Sequence, residues 1–112
     1  MSQMQQTKSN IIYCTRENQI NKLIKDQKFS KKRSYFLFIS LWDEVSSNLL
    51  KELEQNPPSF SVYVVNSFDT PHSFVIWDVK STPTLVVLES GARKITTTNH
   101  VTDIYKRLKL EK

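Results

Sequence analysis

The sequence predicts an α/β domain. Stretches rich in β-branched and aromatic residues alternate with stretches of helical periodicity, the pattern of βαβ units. One uninterrupted apolar run, Leu85-Val86-Val87-Leu88, reads as a strand buried on both faces, as it would be with helices on either side of a sheet. That run is entered through Ser81-Thr82-Pro83 and left through Glu89-Ser90-Gly91-Ala92. Proline fixes its own φ and keeps the preceding Thr82 out of helix, so the backbone is extended on entry. Gly91, the only glycine of the chain, supplies positive φ for a hairpin turn into Arg93–Thr98.

Residues 1–9 are polar, Gln-rich and without periodicity, and are expected to be a mobile tail before a domain spanning 10–112. Asn10–Cys14 reads as a short strand, and Thr15 as the N-cap of a helix from Arg16 to about Lys28. Ile20, Leu23 and Ile24 recur there at helical spacing, which makes the helix amphipathic with a basic outer face. Ser34–Ser40 is the most hydrophobic run and is expected to be the central strand. Val45, Leu49, Leu50 and Leu53 mark the buried face of the next helix, which Asn56-Pro57-Pro58 ends. Phe60–Asn66, rich in valine and aromatics, is a strand. Thr70-Pro71 opens a short helix through Trp77 as N-cap and N1 proline. Thr84–Leu88 and Arg93–Thr98 form the hairpin. A last helix starts at Asn99 or His100, with Val101, Ile104, Tyr105 and Leu108 on one face.

The segment Trp77-Asp78-Val79-Lys80-Ser81-Thr82-Pro83-Thr84-Leu85 resembles the signature of the thioredoxin superfamily. There an aromatic-Gly-aliphatic-x-x-x-Pro-Thr-Leu segment precedes a strand, and the proline is cis. Asp78 stands where the family has glycine. Val64-Val65-Asn66 is similar to the family's third strand, and the order βαβαβαββα is that of thioredoxin. The resemblance implies a thioredoxin-like fold: a mixed five-stranded sheet with helices on both faces.

The chemistry of that family is missing from this sequence. In thioredoxins the loop after the second strand reads Trp-Cys-Gly-Pro-Cys at a helix N-terminus, where unpaired N–H groups and the helix dipole favour a thiolate. The matching stretch here is Trp42-Asp43-Glu44-Val45-Ser46. Asp43 falls at the attacking thiol and Ser46 at the resolving one, and neither can exchange disulfides. Five residues before the tryptophan, where active members carry a proton-shuttling Asp, this chain has Leu37. Asp43 is expected to cap the helix instead, with Glu44 in the first turn complementing the dipole; the functional alternative is an acidic spot beside Trp42 that meets a basic partner.

Composition excludes several further classes. The single glycine leaves no phosphate-binding glycine loop, and no apolar run approaches the roughly 20 residues of a membrane span. The N-terminus is too polar for a signal peptide. With a lone cysteine there is no internal disulfide, so the cytosol or another reducing compartment is expected. Cys14 reads as a small buried hydrophobe, far in the fold from the family's active loop. His72 and His100 each open a helix, and one cysteine with two separated histidines makes no zinc site. A Ser46–His72–Asp triad can be written, with nothing in the sequence to fix its geometry.

The net charge of +5 is uneven. Residues 1–33 hold eight Lys/Arg against Glu17 and Asp26, whereas the rest hold eight against nine acids. Lys28, Lys31, Lys32 and Arg33 are the densest point, a patch for an acidic protein surface, nucleic acid or anionic lipid, or simply a solvated loop.

Together these features describe a redox-inactive thioredoxin-like protein-binding module, not an enzyme, serving as an accessory or structural subunit of a larger assembly. Cytoskeletal and axonemal components are among such roles in the wider superfamily. Its partner would meet a groove at Trp42, Asp43, Glu44, Thr82 and Pro83, and the basic patch. No cofactor, metal or small-molecule substrate is inferred. The rivals are a thiol oxidoreductase-like enzyme using Cys14, a non-redox activity around Asp43 and Ser46, and nucleic-acid binding through the basic N-terminal third. That third has only Tyr13 and Phe29 as aromatics.

Overall fold

A computed structural model describes residues 10–27, 33–89 and 93–110. The expected tail, the turn at Gly91, and Lys28, Lys31 and Lys32 of the basic patch lie outside the described residues. The elements are β1 (Ile11–Cys14), α1 (Glu17–Gln27), β2 (Ser34–Ile39), α2 (Glu44–Gln55), β3 (Val62–Asn66), α3 (Pro71–Ile76), β4 (Thr84–Glu89), β5 (Arg93–Thr98) and α4 (Val101–Arg107). The five strands form one mixed sheet in the order β1-β3-β2-β4-β5. β1 and β2 run parallel to β3, whereas β4 is antiparallel to β2 and to β5. The long apolar run β2 lies at the centre, as its composition predicts.

Side chains alternate across the strands, so β2, β3 and β4 each serve two cores. Leu37, Ile39, Val64, Leu85 and Val87 face one side, where Leu49 and Leu53 of α2 and Ile104 of α4 cover them. Phe36, Phe38, Val65 and Val86 face the other, covered by Ile20 of α1 and by Phe74 and Trp77 around α3. Trp77 lies 5.0 Å from Phe36 and 5.2 Å from Phe38 between ring centroids. Each fully buried Phe contributes about 1.5–3 kcal/mol over exposure. Two helices on each face account for the apolar runs of β2 and β4.

Several details depart from the expectations. Thr15 is not the cap of α1, which begins at Glu17: the side chain of Gln19 accepts from the backbone N–H groups of Thr15 and Arg16, both at 2.9 Å. In α2 it is Ser46, not Val45, that joins Leu49 and Leu53 on the buried side. Ser46 lies three residues before Leu49 on the same stripe, and its polarity hid it. Val101, in the first turn of α4, is exposed, while Ile104 and Leu108 further along the same face are buried. Thr70 is the N-cap residue of α3 and Pro71 opens the helix, as expected, but the Thr70 hydroxyl makes no capping bond and donates to the Asn66 carbonyl at 3.4 Å.

The end of α3 sets the path of the chain into β4. Asp78 has φ 57°, the left-handed region that favours glycine. Val79 N–H donates to Phe74 O at 2.8 Å and Asp78 N–H to Val75 O at 3.1 Å, a paired closure of the last turn. The chain is thereby turned back toward the sheet, and Pro83 is delivered beside β2. Leu110 and Lys109 close α4 in the same way, with Lys109 at φ 61°.

Candidate functional site

Parallel β1, β2 and β3 all end at one edge of the sheet, and antiparallel β4 begins there, since Phe38 is registered with Thr84 and Ile39 with Asn66. Three loops therefore converge: Ser40–Asp43 before α2, Ser67–Thr70 before α3, and Trp77–Pro83 before β4. Crevices beyond the carboxyl ends of strands are the usual binding places of α/β sheets.

Asp43 occupies the centre. Its backbone is extended (φ −98°, ψ 121°), as an N-cap requires, and Oδ1 accepts from the Val45 N–H at 3.1 Å. Oδ2 accepts from two hydroxyls, Ser46 Oγ and Thr82 Oγ1, each at 3.1 Å. Ser46 Oγ in turn accepts from the Ser40 N–H at 3.4 Å. One carboxylate thus ties the start of α2 to the loop before β4. The Thr82–Pro83 peptide bond is cis, Pro83 is buried and Thr82 half-buried. Behind Thr82, the Asn99 side chain donates to Ser81 Oγ at 3.1 Å and Thr84 Oγ1 to Ser81 O at 2.7 Å. The loop is held from both sides.

Trp42 is 86% exposed, directly before this cap, and Glu44 is exposed directly after it. The structure thus places Trp42, Asp43, Glu44, Thr82 and Pro83 at one edge of the sheet. Of the basic patch, Arg33 is exposed just before β2, at the end of that strand opposite Trp42 and Pro83. The exposed Arg16, Lys22 and Lys25 lie on or beside α1.

Other sequence candidates separate. Ser46 is fully buried and bonded to Asp43, while His72 is exposed on α3 and shares no described contact with it, so the written triad does not assemble. Leu37 is fully buried against the α2 and α4 side chains. Cys14 is 1% exposed, and burial pushes its thiol from 9.0 up to about 11. The expectation that it lies far from the α2 loop needs correction: Cys14 and Leu41 line the same cavity, because β3 brings the end of β1 to the same edge. Among the described residues no group of three or more His, Cys, Asp or Glu is placed to hold a metal ion, and no helix is long and apolar enough to cross a membrane.

Sequence reasoning missed part of the surface. Leu41, Val45 and Phe68 are exposed on or beside the converging loops, and Val75 and Ile76 are exposed on α3. A signal was present: Phe74-Val75-Ile76-Trp77 carries more apolar residues than one face of a six-residue helix can bury, so once Phe74 and Trp77 turn inward the middle pair points out.

Solved structures similar to this chain include several thioredoxins. Thioredoxin NaTrxh from Nicotiana alata superposes with a TM-score of 0.73 at 13% identity, over 93% of this chain and 95% of that one. A poplar thioredoxin h, PtTrxh4, gives 0.72 at 17% identity, over 90% and 95%. Thioredoxin O2 from Arabidopsis thaliana gives 0.70 at 18%, over 91% and 94%. No protein-family model matches the sequence, and no curated protein matches it. At such identities the likeness shows fold. The chain has the thioredoxin fold, a mixed five-stranded sheet with four helices, and holds a single cysteine with no Cys-x-x-Cys pair.

Proposed function

We propose that this chain is a redox-inactive, thioredoxin-like protein-binding module, an accessory or structural subunit of a larger cytoplasmic assembly, of which a cytoskeletal one is an example. The observation that carries the reading is the pairing of Asp43 and Ser46. They stand at the helix positions where a dithiol would meet, and a 3.1 Å hydrogen bond joins them. Neither can attack sulfur as a thiolate or leave as one. What stays around them is a binding surface, with Trp42 exposed beside a braced loop and further apolar side chains on neighbouring loops. Exposed aromatics at the centre of such patches act as anchors.

The test is reduction of insulin disulfides by dithiothreitol. The wild-type chain is expected to leave the rate at the uncatalysed level. Acceleration that disappears in Cys14→Ser would overturn the redox-inactive reading. Affinity capture then tests binding: a protein that co-purifies with the native chain should be lost with Trp42→Ala, and an unchanged capture would remove the groove from the proposal.

A further inference from the structure

The ends of β1, β2 and β3 enclose a cavity of about 230 Å³ beside the Trp42–Pro83 surface, and none of the groove residues lines it. Its walls are apolar, formed by Ile39, Leu41, Leu50 and Val64. The rim carries Thr15, Asn66 and Asp69, and Tyr13 closes one flank, its hydroxyl donating to the Glu54 carboxylate. No basic residue lines the cavity. Asp69 is exposed and makes no ion pair among the described residues.

These features select an occupant. Pockets for drug-sized ligands run to about 300–1,000 Å³, so this volume suits one long side chain better than a free metabolite. An apolar wall ending at an unpaired carboxylate matches a side chain with an aliphatic stem and a cationic head, because such chains bury the stem and keep the charge at the wet rim. The Tyr13 ring adds a face that attracts cations, and a planar guanidinium uses both ring and carboxylate better than a compact ammonium does.

We propose that this cavity receives one arginine side chain of the protein partner, with its stem against Leu41, Leu50 and Val64 and its guanidinium at Asp69. The proposal deepens the protein-binding reading and rests on it for the nature of the ligand. Leu41, adjacent to Trp42 in the chain, places the cavity and the aromatic anchor within reach of one docked segment. The partner's contacting segment would then carry an arginine near the residue that meets Trp42.

The experiment uses the isotope-labelled full chain and two small probes, N-acetyl-arginine amide and the uncharged N-acetyl-norleucine amide. The arginine probe should shift the amide resonances of Thr15, Asn66 and Asp69 in a saturable way, and norleucine should not. Asp69→Asn, at an exposed position that leaves the fold intact, should weaken the arginine probe about fivefold. Lys22→Ser, at an exposed position on α1 outside the cavity, should leave it unchanged. Absence of a saturable shift, equal affinity for norleucine, or indifference to Asp69→Asn would each overturn the proposal. Because the probes report on the cavity directly, that failure would be distinct from a partner that ignores Trp42→Ala, which strikes the groove alone.

Discussion

Asp43 accepts three hydrogen bonds at once, from the Val45 N–H, the Ser46 hydroxyl and the Thr82 hydroxyl. Thr82→Val removes one donor while keeping the shape and should cost about 1 kcal/mol. Asp43→Ala removes the cap as well and should cost about 1–2 kcal/mol. Since both changes break the same bond, the double variant should be less destabilised than the sum, by roughly 0.5–1 kcal/mol in urea denaturation. Strict additivity would show that the bond between α2 and the β4 loop contributes nothing. Cys14 offers a second check at this scale. Burial raises its pKa from 9.0 to about 11, so the folded chain holds the thiol proton more tightly than the unfolded chain. The stability from burying the neutral thiol is complete below pH 9 and is lost as pH rises toward about 11. At pH 8 the folded protein should react with iodoacetamide about a hundredfold more slowly than the same chain in urea. Equal rates, read by intact mass, would show that the thiol is neither buried nor protonated as described.

Among the elements, the end of α3 carries the clearest liability. Asp78 sits at φ 57°, where a Cβ crowds the backbone. Its ion pair with Lys80 spans 3.6 Å between side chains that are both largely exposed, and so offsets little. Asp78→Gly should therefore stabilise the protein by about 1 kcal/mol, seen as a higher urea midpoint with an unchanged slope. A lower midpoint would mean that the Asp78 side chain contributes more than its backbone conformation costs. This position was legible in advance as a departure from the glycine of the family pattern. That the departure leaves the chain path intact was not, because it depends on the two hydrogen bonds that close the helix. Val45 and Ser46 show the same limit. Periodicity found the stripe of α2, but that Ser46 and not Val45 is buried, its hydroxyl donating to Asp43, is visible only in the structure.

For the whole molecule, the charge division and the apolar surface predict two separable effects on a partner. Changing Lys31, Lys32 and Arg33 to Ser should slow association and flatten its salt dependence, because attraction between surfaces is screened beyond about 8 Å at physiological ionic strength. Trp42→Ala should speed dissociation and cost about 2 kcal/mol. Trp42 and Arg33 are exposed, so circular dichroism should show both variants folded. Loss of binding with the basic triple change alone would assign the interaction to charge. Competition by nucleic acid at low salt would favour the nucleic-acid rival named from the sequence.

The sequence by itself determined the order of the nine elements among the described residues, the central place of β2 and the absence of a Cys-x-x-Cys pair. Each of these is local: periodicity, turn residues and a short motif are written in neighbouring positions. Only the tertiary structure decided that Asp43 reaches Thr82, 39 positions away, and that Cys14 shares a cavity with Leu41 and Asp69. Inserting β3 between β1 and β2 carries the ends of distant strands to one edge, and hydrogen bonds there join residues that no spacing along the chain relates. The exposure of Leu41, Phe68, Val75 and Ile76 belongs to the same class. An apolar residue in a sequence is assigned to the core by default, and only the packing of the sheet shows which ones the core has no room to hold.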